Sequence, residues 1–246
     1  MHVLLTRPEP EAAACKARLE ALGHEVSVEP MLRIEHLPLG GDALAGAAGV
    51  IVTSRNALRA LAASPALAAA LKLPVFTVGP GTAELARKLK FERVVAGEGS
   101  AAELVPIVAD AAADTMPRAF VHLAGETVAF DLAKPLASLG IEVRKIDAYR
   151  AVPAQSLSEP TKKLLKDRAI DAVILMSPRT ARIFSRLVAD AGLAESARSA
   201  AFLCLSPAVA VSLGVLGPER IVVAETPNSG AMLAAATRVA TLSSGV

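Results

Sequence analysis

Two short stretches carry the residue types best suited to holding an anion. TSRNA, with Thr53, Ser54, Arg55 and Asn56, follows the apolar run GVIV, and MSPRTA, with Ser177, Pro178 and Arg179, follows AVIL. Each opens a segment patterned like a helix. A Ser at such a turn caps the helix. The free amides of the first turn, at the positive end of the helix dipole, then form a weak anion site. One such Ser is ordinarily a cap and nothing more. Several of them around one cleft would suit a ligand with many carboxylates or phosphates.

Other strand-to-helix turns have the same small or hydroxylic character. They hold Arg7 after Thr6, Gly79 with Thr82 and Ala83, Ser100, Gly125, Ser206 and Ser229. Carboxylates are almost absent from them. VGPGTAELARK lacks the GxxxxGK[ST] spacing, and no GxGxxG follows a strand, which argues against ATP and dinucleotides. No Ser–His–Asp set and no acidic pair is legible. The four histidines (His2, His24, His36, His122) have no metal-ligand spacing, and His122, in the strand-like AFVHLAG, reads as a hydrogen-bonded strand residue. Metal-free, cofactor-free chemistry or pure binding remains. Tyr149 is the single tyrosine, near the end of a long strand. It reads equally as a strand-end aromatic or as a weak general acid.

The elements that would position these residues alternate from end to end. Strands are expected at 2–6, 25–37, 49–54, 75–79, 93–97, 119–125, 142–152, 172–177, 201–206 and 220–225, with helices in most gaps. Gly23, Gly140 and Gly192 mark left-handed helix ends. This order predicts parallel sheets with helices on both faces, and ligands beyond the carboxyl ends of the strands.

The chain also repeats itself. LEALGHEV (19–26) matches LASLGIEV (136–143), TSRNA matches MSPRTA, VGPGTA matches LSPAVA, and VVAGEGS matches VVAETPNS. The offset drifts from 117 to 129 without reversing, as duplication followed by small insertions would leave it. Two copies split near 118 are one assembly. In another, the long strands at 25–37 and 142–152 leave one domain and enter the other, and the first βαβ piece joins the C-terminal part. The residues alone leave both open.

Composition sets the outer limits. The 246 residues are enough for two modest domains, and 53% hydrophobic with 20% charged residues excludes a disordered chain. A net charge of +2 gives no sign of nucleic-acid binding. The start MHVLLTRPEPE is unlike a signal peptide, no apolar run reaches a membrane span, and two cysteines make no disulfide framework. The expectation is a cytoplasmic protein and, with no apolar stripe standing out, a monomer.

Taken in order, these stretches resemble the uroporphyrinogen-III synthase family over nearly the whole chain. The resemblance rests on LLTRPE, TSRNA, VGPGTA, GEGSAAEL, the LAGE…AFDL…LGIEV series, DAYR and MSPRTA. It implies two flavodoxin-like α/β domains joined by a two-stranded β-ladder. One domain would be 1–35 with 155–246 and the other 38–148, with linker strands at about 27–38 and 142–155. It implies a cofactor-free lyase acting on hydroxymethylbilane, a linear tetrapyrrole with eight carboxylates. Hydroxide leaves the ring A methylene, a spiro intermediate inverts ring D, and the macrocycle closes as uroporphyrinogen III.

By the same resemblance Tyr149 assists departure of the hydroxyl. Arg7, Thr53, Ser54, Arg55, Asn56, Gly79, Thr82, Ala83, Ser100, Gly125, Ser177, Pro178, Arg179 and Ser206 bind substrate, in a cleft between the domains. The chain departs from the family at LSPAVA, where Ala208 and Val209 stand in place of frequent threonines. The rival reading is a non-enzymatic two-lobed binding or sensor module for a polyanion.

Overall fold

The computed structural model describes residues 1–113 and 119–243. The proposed division of the repeat near 118 lies outside the described residues. In chain order the strands are β1 (His2–Leu5), β2 (Glu25–Val28), β3 (Leu32–His36), β4 (Gly49–Val52), β5 (Val75–Thr77), β6 (Val94–Ala96), β7 (Ala119–Gly125), β8 (Glu142–Pro153), β9 (Ala172–Leu175), β10 (Ala201–Cys204) and β11 (Arg220–Val223). The helices are α1 (Glu11–Glu20), α2 (Arg55–Ala62), α3 (Leu67–Ala70), α4 (Pro80–Lys88), α5 (Leu104–Ala112), α6 (Ala133–Ala137), α7 (Glu159–Lys166), α8 (Pro178–Asp190), α9 (Ala194–Ala197), α10 (Pro207–Val211) and α11 (Ser229–Ser243).

The chain forms two compact units, Met1–Arg33 with Val152–Val246, and Ile34–Ala151. The first holds a five-stranded sheet in the order β2-β1-β9-β10-β11, with every described pairing parallel. The second holds β8-β7-β4-β5-β6, again parallel, with β3 added beside β8. β3 runs antiparallel to β8: Ala154 N donates to Met31 O and Leu37 N to Ala148 O, so residue numbers fall on one strand as they rise on the other. Each sheet therefore takes two strands from one half of the repeat and three from the other. By repeat position, both orders read 2-1-3-4-5.

Burial explains which runs became central strands. HVLL, GVIV, AVIL and AFLC are buried at every position, because helices cover both faces of a parallel sheet. The edge strands β6 and β11 are shorter of apolar cover and largely exposed. Val50, Val52 and Val121 pack under α2 and α4, while Ile51, Phe76 and Phe120 pack under α5 and α6. In the other unit, α8 turns Ala181, Phe184, Leu187 and Val188 inward at helical spacing onto Val173, Leu175 and Phe202. Gly23, Gly140 and Gly192 have φ of +82°, +72° and +69°, the left-handed helix ends that the sequence predicts.

One expected element differs. The single strand 25–37 is two, β2 and β3, which belong to different sheets. Between them Pro30 offers no amide to either ladder. Glu29 is turned away from solvent: its carboxylate accepts from the Ser158 amide at 3.2 Å and from the hydroxyls of Ser158 and Thr161, at the start of α7. Several other expected strands end one or two residues early, because their last residues leave the sheet to start a helix.

Candidate functional site

In the unit Ile34–Ala151 the chain runs outward from β4 through β5 to β6, then returns through α5 to lay β7 on the other side of β4. β4 and β7 thus flank a reversal of strand order, the place where open α/β sheets leave a crevice at their carboxyl ends. A cavity of ≈ 220 Å³ lies there. Thr53 and Ser54 follow β4, Val78 follows β5, Ala101 lies beyond β6, Gly125 ends β7, and Tyr149 comes from β8. The loop after β7 closes one side with Thr127, Val128, Ala129 and Phe130.

Tyr149 reaches the cavity because β8 is irregular there. Ala124 pairs with Asp147, but the next residue, Gly125, pairs with Tyr149 and leaves Ala148 over. A regular strand would send successive side chains to opposite faces. Here Ile146, Ala148 and Tyr149 all pack against the same apolar cluster. The extra residue re-aims the tyrosine. The Tyr149 carbonyl then accepts from the Glu126 amide at 2.9 Å, which ties the loop to the strand.

Gly125 gives the ring its seat. A Cβ at this position would lie 2.9 Å from Tyr149 Cζ and 3.0 Å from its hydroxyl oxygen. Gly125→Ala is therefore expected to push the phenol aside, and if the phenol acts on a bound substrate the change costs roughly tenfold in kcat, since small misplacements near a reacting group are expensive. Steady-state assay and a structure of the variant check this; unchanged kcat would show that the ring's position matters little.

Thr53 and Ser54 play different parts. Ser54 Oγ accepts from the Asn56 amide at 3.2 Å as the cap of α2. Thr53 Oγ1 lies 3.1 Å from Nε2 of His122. His122 is only 3% exposed, and burial, aided by the positive charge of Lys145, pushes its pKa down to about 4, against a smaller opposing effect of Asp131. It is neutral near pH 7. Among the described residues no Asp, Glu, Lys, Arg or His contributes to the cavity wall. Its polar groups are hydroxyls: Thr53, Ser54, Thr127 and Tyr149.

The structure thus gathers four of the sequence candidates, Thr53, Ser54, Gly125 and Tyr149. Others in this unit stand off the cavity wall. Arg55 is exposed at the start of α2, and Asn56 accepts from Arg59 Nη1 at 2.7 Å through its side-chain oxygen. Gly79 precedes α4, with space for a Cβ limited by Gly99 Cα at 3.4 Å. Thr82 and Ala83 are buried in the first turn of α4, and their amides donate to Gly79 O. The Ser100 amide already donates to Glu103 Oε2 at 2.9 Å.

The remaining candidates belong to the other unit. Ser177 caps α8, accepting from the Thr180 amide at 3.2 Å, with Pro178 at the first helical position and Arg179 beside it. Arg7 follows β1 and reaches Ser229 Oγ at 3.5 Å. Ser206 precedes the short α10 but makes no capping hydrogen bond. β1 and β9 flank the reversal of strand order in this sheet; Ser177 follows β9 as Ser54 follows β4, and Arg7 lies just beyond the end of β1.

Phe130 and its neighbours Val128 and Ala129 have no counterpart among the sequence candidates. Their only signal is an apolar run, VAF, inside a turn region otherwise made of Gly, Glu, Thr and Asp. Among the described residues no group of three or more His, Cys, Asp or Glu side chains is placed to hold a metal ion. No helix among them is long and apolar enough to cross a membrane.

Parallel sheets with small or hydroxylic turns at their carboxyl ends, and a hydroxyl-lined crevice beside a lone tyrosine in one unit, describe an α/β protein whose site lies at the carboxyl edge of a sheet. The family profile described as Uroporphyrinogen-III synthase HemD matches residues 13–234. The chain belongs to the uroporphyrinogen-III synthase family, and its activity is the closure of hydroxymethylbilane to uroporphyrinogen III. The fold is similar to that of two solved proteins. One is a mutant uroporphyrinogen III synthase from the extreme thermophile Thermus thermophilus, at 20% identity and TM-score 0.60, covering 98% of this chain and 99% of that one. The other is uroporphyrinogen-III synthetase from Helicobacter pylori, at 17% identity and TM-score 0.64, covering 97% and 99%. No curated protein matches the sequence.

Proposed function

We propose that the cavity beside Tyr149 receives the reacting end of hydroxymethylbilane. The observation that carries this is the meeting of four hydroxyl groups in a pocket whose wall bears no ionised side chain. Its ≈ 220 Å³ is below the range of about 300–1,000 Å³ that holds a drug-sized ligand. One pyrrole ring with its substituents is the fitting occupant, and the rest of the bilane stays outside.

The chemistry follows from that environment. The Tyr149 hydroxyl donates to the leaving hydroxyl on the ring A methylene. The carbon–oxygen bond breaks, water departs with the donated proton, and the pyrrole nitrogen's electrons stabilise the carbon left behind as an azafulvene cation. A wall without carboxylates offers that cation no carboxylate to form an ester with. The substituted α-carbon of ring D attacks that carbon. Its bond to the ring C methylene then breaks, leaving a second azafulvene cation, and the free α-carbon of ring D bonds to that methylene, so ring D is inverted. The proton on the newly bonded α-carbon is lost, directly or through solvent, to the phenolate left on Tyr149, which restores the phenol and completes the elimination of water. The spontaneous reaction also closes the ring without inversion, so the protein's work is largely to hold one conformation.

We assign the carboxylates to the helix starts, through Ser54, Arg55 and Asn56, the Gly79, Thr82 and Ala83 turn, and Ser100. The corresponding places of the other unit are Arg7, Ser177, Pro178, Arg179 and Ser206. The order 2-1-3-4-5 supports reading each unit as flavodoxin-like. The pairing of β3 with β8 across residues 33/34 and 151/152 supports reading those strands as the β-ladder linker, with domains at 1–35 plus 155–246 and 38–148. The reading also takes the protein as a cytoplasmic monomer.

Freshly generated hydroxymethylbilane, supplied to the purified protein, should yield type III isomer in excess of the spontaneous type I. Type I alone from folded protein would overturn the enzymatic reading in favour of a polyanion-binding module. Thr82 offers a finer check. It is 7% exposed in the first turn of α4. If its role is shape, Thr82→Ala keeps most of the activity while Thr82→Leu, which overpacks the turn at a cost of about 1–3 kcal/mol, loses it. Equal losses in the two variants would instead make the hydroxyl itself essential.

A further inference from the structure

We propose that His122 is a positioning residue, which donates from Nε2 to Thr53 Oγ1 and so turns the Thr53 proton into the cavity beside Tyr149. This rests on the reading of that cavity as the reaction site.

The pair is built by the sheet. Ile51 of β4 lies opposite His122 of β7, so Thr53, two residues further on and just past the end of β4, is one diagonal step away on the same side of the sheet. The 3.1 Å contact follows from that register. His122 is buried against a sheet face whose other large residues, Ile51, Phe76 and Phe120, are apolar. A buried imidazole among such neighbours stays neutral, and burial lowers its pKa to about 4. A neutral imidazole has one protonated and one bare nitrogen. Thr53 has a single proton, and its direction depends on which tautomer is present.

With a bare Nε2, the threonine would give its proton to the histidine and show the cavity only lone pairs. With a protonated Nε2, the threonine oxygen accepts and its O–H is released toward the substrate. The substrate's leaving group and carboxylates are acceptors, so only the second arrangement assists them. Because the imidazole is uncharged, it arranges this donor without placing a cation beside a carbon that itself becomes cationic. A hydrogen bond from a neutral donor also holds the threonine rotamer that a β-branched side chain would otherwise divide among alternatives.

The test is a double-mutant cycle on kcat and KM, with Tyr149→Phe measured in parallel. Thr53→Val removes the hydroxyl and keeps the shape. His122→Phe removes the donor and keeps a buried ring. Each is expected to lower kcat on the order of tenfold with KM little changed, as for one hydrogen bond made in the transition state. On the Thr53→Val background, His122→Phe should add almost nothing. An equal loss on both backgrounds, or full activity of His122→Phe, overturns the proposal. If Tyr149→Phe and Thr53→Val both keep full activity, the cavity reading itself fails, which is a different result.

Nitrogen-15 NMR of the wild-type imidazole supplies a second measure, independent of whether His122→Phe folds. The proposal expects the proton on Nε2, with its signal moving in Thr53→Val. A proton on Nδ1 overturns it.

Discussion

Tyr149→Phe should lose about 10²-fold in kcat while keeping the fold, the lower end of the 10²–10⁴ that a positioned acid contributes. The lower end applies because the pyrrole's own electrons help expel the hydroxide. Among the described residues nothing hydrogen-bonds the Tyr149 hydroxyl, so its removal strands no buried partner. The ring's packing against the apolar cluster and over Gly125 survives the change. The melting temperature should therefore move by no more than ~1 °C, less than the ~2–4 °C that a 1 kcal/mol loss gives a protein of this size. A stopped assay with isomer separation, run on wild type and variant together, checks it: the spontaneous type I product should grow at the expense of type III. Wild-type turnover in Tyr149→Phe would remove the phenol from the mechanism and leave the cavity a purely steric device.

The residues of this site differ in how far the sequence alone reveals them. Strands such as AVIL and GVIV were legible because a parallel strand buried on both faces must be apolar throughout. Ser54 and Ser177 were legible as caps, because a hydroxyl before a helix satisfies an otherwise orphaned amide. The break between β2 and β3 was hidden. An alternating apolar pattern continues across Glu29 and Pro30, and only the partners of the two strands, β1 and β8, reveal the change of sheet.

Tyr149 stood out by being alone, yet its aim depends on the extra residue Ala148, and nothing in DAYR announces a bulge. His122, inside the strand-like AFVHLAG, is the hydrogen-bonded strand residue that the sequence predicts. Its partner, 69 positions away, is fixed by the register of β4 against β7, which a single sequence does not contain. Phe130 carries no sequence signal, because a lone aromatic in a loop has no period to mark it.

The same burial that keeps His122 neutral makes the protein's stability depend on pH. In the unfolded chain this imidazole titrates near 6.5, and in the fold near 4. Between those values the unfolded chain holds a proton that the folded one refuses, so protonation favours unfolding. The stabilisation is whole above about pH 6.5 and is lost as the pH falls toward 4. From pH 7.5 to pH 5.0 the expected loss from this residue is about 2 kcal/mol. His24, also shifted down by burial and by the nearby N-terminal charge, adds in the same direction. It is present in wild type and variant alike, so it cancels in the difference.

Urea unfolding at the two pH values, for wild type and His122→Phe, isolates the effect. The wild type should lose about 2 kcal/mol more than the variant over this interval, whatever their absolute stabilities. Equal losses would mean that the folded protein accepts the proton readily. His122 would then be a charged neighbour of Thr53 at moderate acidity, and the neutral cavity wall would no longer describe the site's surroundings.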